Sequence, residues 1–402
     1  IILFLGFTPT IALWLLWVFY LSLTVAGSEF MQFQWDALLL ETGFLSIFLF
    51  HSQIRSRWKQ FVMPSHLIHF LLRWLLFRLV YSSGVVKLNS GDTAWHSFTP
   101  LNYHYETQPL PTPIAWYVHQ LPEWFDKVSC GFMFASELFV PFLIFFPRRF
   151  KFFAFALLMF FQITIALTGN YTHFNWLTIA LSFLLLDDSY FTRWVFHNWH
   201  SRQREPKKIP TSFLRQSLIS VIALFVLIVS GTFMIANLSR LHDLPSPLKK
   251  IMAVAQTFHF VNSYGLFAVM TTERNEIVLE GSYDNKNWFA YEFKYKPGEL
   301  KRRPPFVAPH QPRLDWQMWF LPLQDFQRSF WFQNFLMRLY QGAPDVIALL
   351  EKNPFEGKPP KYLRIQFYEY HFTDFAAKKS HGAWWRRTLK ATLLYARDDR
   401  SK

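Results

Sequence analysis

The sequence predicts an α-helical polytopic membrane bundle of about seven spans, followed by an extramembrane β-rich, sandwich-like domain with helical insertions. Three observations carry that prediction. Apolar stretches of about 16 to 24 residues recur through the first 238 positions, long enough to cross ~30 Å of hydrocarbon at 1.5 Å per residue. Only 17% of the 402 residues are charged, against 51% hydrophobic and 20% aromatic. A soluble domain carries about 25% charged side chains, so this chain is short of solvating groups. Beyond position 238 the long apolar runs stop and alternating, strand-like words replace them.

The apolar stretches fall at 8–28, 36–51, 64–84, 124–147, 150–169, 172–187 and 214–238. The second and sixth are short, and 36–51 also suits a tilted or half-buried helix. Basic residues orient the bundle. Arg55, Arg57 and Lys59 follow the second stretch, and Arg148, Arg149 and Lys151 the fourth. Arg193, Arg202, Arg204, Lys207 and Lys208 follow the sixth. All three clusters land on one side, which the positive-inside rule makes cytoplasmic, with 188–213 a cytoplasmic linker in the membrane domain 1–238. The amphipathic loop 88–123 and the domain 239–402 then lie outside the cytoplasm. The net charge of +14 reflects these loops and the C-terminal third, and no nucleic-acid motif accompanies it. Nucleic acid is therefore not an expected partner.

In the tail, EIVLEGS (276–282) and WFAYEFKY (288–295) read as strands joined by YDNKN, residues that tolerate tight turns. KYLRIQFYEYHF (361–372) and RRTLKATLLYA (386–396) alternate in the same way, whereas 315–340 and 343–352 read as helices. Cys130 is the single cysteine, so no intramolecular disulfide or multi-cysteine metal site can form. That favours a bacterial inner membrane over a eukaryotic secretory membrane; in a eukaryote the expected location is the endoplasmic reticulum. The chain opens IILFLGF without an initiator methionine, which leaves room for an upstream segment.

Soluble-enzyme motifs are missing: there is no GxSxG, HExxH, Walker A or dinucleotide glycine pattern. His66 and His69 share a helical face but have no third ligand at a metal spacing, so neither a metal nor a cofactor is called for. Charges inside spans say more, because one at the bilayer centre costs at least ~2.5–3.5 kcal/mol unless it finds a partner or water. Asp36, Glu41, Arg73, Arg78 and Glu137 are such charges, read either as helix-gluing pairs or as a substrate site. Lys87 ends the third span, where it either snorkels to the surface or, if enclosed, becomes a base or nucleophile through desolvation. The segment 95–125 is too polar to span and too aromatic for a free linker. Pro109, Pro111 and Pro113 stiffen it, and Trp95, Tyr103, Tyr105, Trp116, Tyr117 and Trp124 suit the headgroup layer. A short amphipathic helix around 112–120 is expected on the outer surface, as a lid or an anchor.

Longer words carry a resemblance. FQWDALLLETGF (33–44), FRLVYSSGVVKL (77–88), the run from Trp95 through NYHYETQPLPTP, ELFVPF (137–142), TGNYTHFNWLT (168–178) and LLLDD (184–188) resemble the lipase maturation factor family. So do NPFEGKPPKYLRIQFYEYHFT (353–373) and GAWWRR (382–387). The resemblance implies a multi-pass membrane protein that, in animals, sits in the endoplasmic reticulum and helps secreted lipases fold and assemble. Its implied partners are secreted lipase clients and membrane lipids, and a lumenal C-terminal domain contacts the client. Animal members carry more cysteines, so a redox role finds no support in this chain. Under this reading Arg73, Arg78, Trp95, Tyr103, Tyr105 and Trp288 are the expected client- or ligand-binding residues. SGVVKL, with a tryptophan shortly after, is also similar to the horizontally transferred transmembrane domains of the vitamin K-dependent gamma-carboxylase superfamily. That resemblance implies an alternative: a membrane-embedded enzyme acting on a lipid, quinone or peptide, with Lys87 as base and His104 or Glu106 assisting. EGSYDNKNW (280–288) resembles the strand–turn–strand word of discoidin-type β-sandwiches. Asn170 and Asn237 open sequons near outer span ends, open to glycosylation in a eukaryote.

Overall fold

The computed structural model describes residues 2–3, 5–50, 64–187, 212–239, 245–355 and 357–395. Arg55, Arg57, Lys59, Arg193, Arg202, Arg204, Lys207 and Lys208 lie outside the described residues, as do 188–211 of the linker. The chain divides into two compact units. The first comprises Ile1–Ser97, Gly131–Ile163 and Phe174–Val269; the second comprises Phe98–Cys130, Thr164–His173 and Met270–Lys402.

Among the described residues, four helices are long and apolar enough to cross a membrane: Pro9–Phe30, Glu123–Phe145, Arg148–Thr168 and Phe213–Leu238. Their lengths of 22, 23, 21 and 26 residues each reach ~30 Å or more. Ile11, Phe19, Leu23, Val221, Leu224 and Leu218 stand exposed on two of them, as hydrocarbon-facing side chains would. The other three expected spans are of a different kind. Gln34–Ile47 has 14 residues, about 21 Å, and the apolar helix Phe174–Leu185 is shorter still. His66–Asn89 has the length, at 24 residues, but carries Arg73, Arg78 and Lys87 and buries most of its surface.

His66–Asn89 is the hub of the first unit. Phe213–Ser239, Gln34–Ile47, Phe174–Ser182 and the 3-10 turn Val140–Phe145 all pack on it. Leu71, Leu75 and Leu76 are fully buried in the resulting core, with Leu38, Leu45, Ala154, Leu158, Val226 and Val229. Because lipid tails are as apolar as leucine, close fit rather than water exclusion holds such helices together. Gly84 shows the fit: a Cβ there would lie 2.8 Å from Leu138 Cδ2 and 3.0 Å from Glu137 Cβ. A larger residue there would have to push Leu138 and the Glu137 Cβ aside.

The second unit is built on a four-stranded antiparallel sheet. Its strands are β1 (Arg274–Ser282), β2 (Phe289–Ala290), β5 (Tyr362–Phe372) and β6 (Trp385–Tyr395), ordered β2-β1-β5-β6. The register pairs Arg274 with Tyr370 and Ile277 with Phe367, and β5–β6 shifts beside Phe367 and Tyr368. A two-stranded ribbon joins β3 (Glu292–Phe293) to β4 (Leu350–Lys352). Alternation sends Ile277, Leu279, Leu363 and Ile365 to one face, where they pack on Leu314 and Met318 and on Phe332, Phe335, Leu336 and Leu339. Two helices, Arg313–Phe320 and Phe330–Tyr340, therefore cover the sheet where a second full sheet was expected. The expected helix 315–340 is these two pieces, interrupted at Pro322 and the polar run after it. The expected helix 343–352 ends after Pro344–Ile347, because Leu350 instead pairs with Phe293 in the ribbon and is buried there. The YDNKN turn is as expected. Asn285 takes a left-handed φ of 60°, and Asp284 Oδ1 accepts from the backbone N–H groups of Lys286 and Asn287 at 2.9 and 2.8 Å.

Candidate functional site

Within the first unit the polar residues of the helices find one another. Glu41 and Arg78, both buried, form an ion pair. The other Glu41 oxygen accepts from Asn262 N at 2.8 Å, Asn262 Nδ2 at 3.1 Å and Tyr264 Oη at 2.8 Å. Arg78 Nη1 donates to Asn262 O at 3.1 Å. Four groups thus hydrogen-bond a self-neutralising pair that desolvation would otherwise expel. Asn262 and Tyr264 lie beyond the last apolar stretch, where no periodicity marks them as bundle residues. Arg73 plays a different part, donating twice to Leu184 O, at 2.9 and 2.7 Å. Asp36 accepts from Tyr20 Oη at 2.5 Å.

Lys87 sits one helical turn beyond Gly84 and is 4% exposed. Its Nζ donates to Glu137 Oε1 at 2.9 Å, Glu137 Oε2 at 2.8 Å and Ser83 O at 3.2 Å. Three donors meet three acceptors, so the ammonium is fully used. Trp95 lies 5.4 Å away by ring centroid and is itself fixed by a 3.0 Å bond from Nε1 to Phe267 O. The snorkelling alternative is not what occurs: the lysine is enclosed, and a carboxylate encloses it. Among the described residues no group of three His, Cys, Asp or Glu, with His66 and His69 or elsewhere, is arranged to hold a metal.

The stretch 98–130 belongs to the second unit, and residues 105–113 within it are all buried. Two short helices frame this run, Leu101–Thr107 and Pro113–Val118, the latter capped by Thr112 Oγ1. Between them the proline-rich backbone forms no regular ladder, so its carbonyls need side-chain donors. Arg274 supplies several, donating to the carbonyls of Glu106 at 2.7 Å, Gln108, and Pro109 at 2.9 Å. Trp319 Nε1 donates to Thr107 O at 2.8 Å. Asn170 Nδ2 donates to Leu110 O at 3.0 Å and Pro305 O at 2.9 Å, while its Oδ1 accepts from Val307 N at 2.7 Å. These donors come from distant positions, which is why a segment that reads as a membrane-surface element is buried. They also leave Asn170, 2% exposed, with no free amide to present as a sequon.

His104 and Glu106 go separate ways. His104 Nε2 lies 3.0 Å from Tyr171 Oη, which donates to Gln108 Oε1 at 2.9 Å. Glu106 Oε2 accepts from Phe372 N at 2.8 Å, and Oε1 lies 3.0 Å from His371 Nδ1. Lys87 belongs to the first unit and these two to the second. Of the expected binding residues, Arg78, Trp95 and Tyr105 are buried, whereas Tyr103 is half-buried. Trp288 is also half-buried and stacks on Arg364 at 4.3 Å. Arg274 itself was missed. Its guanidinium forms a buried cluster with Glu276 at 2.7 Å, and Glu276 in turn meets Lys296 Nζ at 2.8 Å. The expected strand began at Glu276 and so left Arg274 out; carrying its alternation two residues back puts Arg274 and Glu276 on a single face.

Two family models match this chain: the lipase maturation factor transmembrane domain over residues 2–193 and the lipase maturation factor C-terminal domain over 260–394. The chain belongs to the lipase maturation factor family. It is 38% identical to lipase maturation factor 2 of Gallus gallus, over 92% of this chain and 65% of that protein. It is 36% identical to lipase maturation factor 2 of Homo sapiens, over 93% and 67%, and 34% identical to lipase maturation factor 1 of Bos taurus, over 92% and 69%. The chain thus spans about two thirds of the length of these relatives. No solved structure matches it. In this chain the Glu41–Arg78 and Lys87–Glu137 pairs fall within the residues matched to the transmembrane domain, and the Arg274 cluster within those matched to the C-terminal domain.

Electrostatics in the second unit of this lipase maturation factor family member follow burial. Desolvation pulls the Arg274 guanidinium down, and Glu276 opposes it. Burial pushes the Asp315 carboxyl up, against the N–H groups of Lys296 and Tyr295 that donate to it at 2.8 Å each. His119 is lowered by burial first, with nearby Glu106 raising it and His371 lowering it further. Its folded pKa therefore lies below the unfolded value of about 6.5, so the folded state disfavours its proton. Stability is full above that unfolded pKa and falls as pH drops through it, until the folded pKa is passed. We expect the melting midpoint of the full chain in detergent to fall between pH 7.5 and 5.5, and His119→Asn to flatten that fall. An unchanged slope in the variant would remove His119 from the account.

Proposed function

We propose that this protein is a membrane-bound maturation factor that helps secreted lipases fold and assemble on the non-cytoplasmic side. The observation that carries the reading is membership, over both the membrane and C-terminal regions, in a family whose relatives are named lipase maturation factors. The geometry agrees with a non-catalytic role. Lys87, His104 and Glu106, the residues of the enzyme alternative, are each engaged by neighbours: a carboxylate, a tyrosine and a backbone N–H, respectively. A base held bidentately by a carboxylate is better suited to clamping helices than to taking a proton. Arg73 is half-buried but held by Leu184 O. Client contact then falls to the other half-buried members of the expected set, Tyr103 and Trp288, with exposed Tyr283 and Phe289 near the latter in sequence.

The finer topology belongs to the same proposal. The shorter or more polar helices Gln34–Ile47, His66–Asn89 and Phe174–Leu185 complete a bundle of about seven membrane-embedded segments. The basic clusters support a C-terminal domain outside the cytoplasm, in the endoplasmic reticulum lumen of a eukaryote or the periplasm of a bacterium. Removing residues 260–402 is expected to leave the remainder membrane-inserted while a co-expressed partner lipase loses most of its secreted activity. Undiminished lipase activity after that deletion would sink the proposal.

A further inference from the structure

Three aromatic rings of the second unit form the walls of a box. Trp116 meets Tyr117 at 89° with centroids 5.0 Å apart, and meets Trp384 at 71° and 5.4 Å. Tyr117 and Trp384 stand at 90°, 6.3 Å apart. Trp116 is fully buried as the floor, while Tyr117 and the adjoining Phe375 are 49% and 58% exposed at the mouth. The box holds a cation. Lys378 Nζ lies 3.1 Å from the Trp384 centroid, 4.1 Å from that of Trp116 and 4.7 Å from that of Tyr117. Lys378 comes from the seven-residue helix Phe375–His381, which ends at Gly382 in a left-handed conformation, φ 69°.

The occupant suits the box poorly. A lysine ammonium carries three N–H donors and is strongly hydrated. Among the described residues Lys378 Nζ makes one hydrogen bond, 3.3 Å to Tyr117 Oη, and pairs with no carboxylate. Ring faces attract charge but accept N–H groups weakly. A trimethylammonium group has the same charge, no N–H to satisfy and methyl groups that cover ring faces. We propose that Trp116, Tyr117 and Trp384 form a cage for a choline-type trimethylammonium headgroup, and that Lys378 is a tethered plug which that headgroup displaces.

The test uses the full chain in a choline-free maltoside detergent, titrated with choline chloride against sodium chloride at equal ionic strength, and read by tryptophan fluorescence. Lys378→Ala is expected to bind choline at least about tenfold more tightly than the unsubstituted chain. Adding Tyr117→Ala, at an exposed position, should return the affinity to baseline; Trp384→Leu should do the same. Circular dichroism and the melting midpoint establish that each variant is folded. A folded Lys378→Ala protein with no saturable choline response overturns the proposal. So does equal affinity for ammonium chloride, which would make the box a general cation trap. Phosphatidylcholine nanodiscs that compete with free choline, where phosphatidylglycerol nanodiscs do not, identify a lipid headgroup as the source; free choline binding without competition identifies a soluble one.

Discussion

Replacing Lys87 by methionine is expected to destabilise the first unit by about 3–5 kcal/mol, because Glu137 is left charged and buried without its partner. The double variant Lys87→Met/Glu137→Leu should recover most of that loss, since two apolar side chains of similar volume replace the pair. The measurement is the melting midpoint in detergent together with the activity of a co-expressed partner lipase. If the pair only joins helices, maturation should return along with stability. A double variant that is fully folded yet inactive would mean that Lys87 does chemistry, and the enzyme alternative would replace the maturation-factor reading. The close contact at Gly84, one turn before Lys87, lets the helix carrying Glu137 pack near this pair.

The second large effect is expected at Arg274. Arg274→Ala withdraws donors from the carbonyls of Glu106, Gln108 and Pro109 and leaves Glu276 with Lys296 alone. An abandoned buried charge partner costs about 3–5 kcal/mol, and each unsatisfied carbonyl adds roughly 1–3 kcal/mol before relaxation or water entry. The segment 105–113 should become open to proteolysis, and secreted lipase activity should fall with it. Arg274→Lys should rescue only partly, because a lysine cannot present the planar fork that reaches several acceptors at once. Unchanged protease resistance and melting in Arg274→Ala would show that the clamp is not what holds the segment.

The two units differ in how much of them the sequence announces. Helices such as Pro9–Phe30 and Phe213–Leu238 are written locally, since twenty apolar residues in a row have few other fates. The charges inside the bundle were legible as a set, and so was their tendency to pair. Which carboxylate meets which cation was not: Arg78 chose Glu41, Lys87 chose Glu137, and Arg73 chose a backbone carbonyl. Helix rotation and axial offset make those choices, and neither is encoded in spacing along one helix. Asn262 and Tyr264 escaped for the same reason, as they enter the bundle from a loop.

In the second unit β1, β5, β6 and the Asp284 turn follow from alternation and turn chemistry, which act over a few residues. The expected strand 288–295 instead divides into β2 and β3 of two different sheets. Leu350 went to a ribbon with Phe293 because strand pairing is decided by a distant partner. The burial of 105–113 and the caging of Lys378 are further cases, the latter joining Tyr117 to a residue 261 positions away. What the amino-acid order determined by itself was the membrane character, the strand words, the family and the list of costly charges, because each rests on local composition. The tertiary structure alone decided which buried charges neutralise one another, and that the proline-rich stretch is an interior segment. Desolvated polar groups must find partners, and distant parts of the chain supplied them.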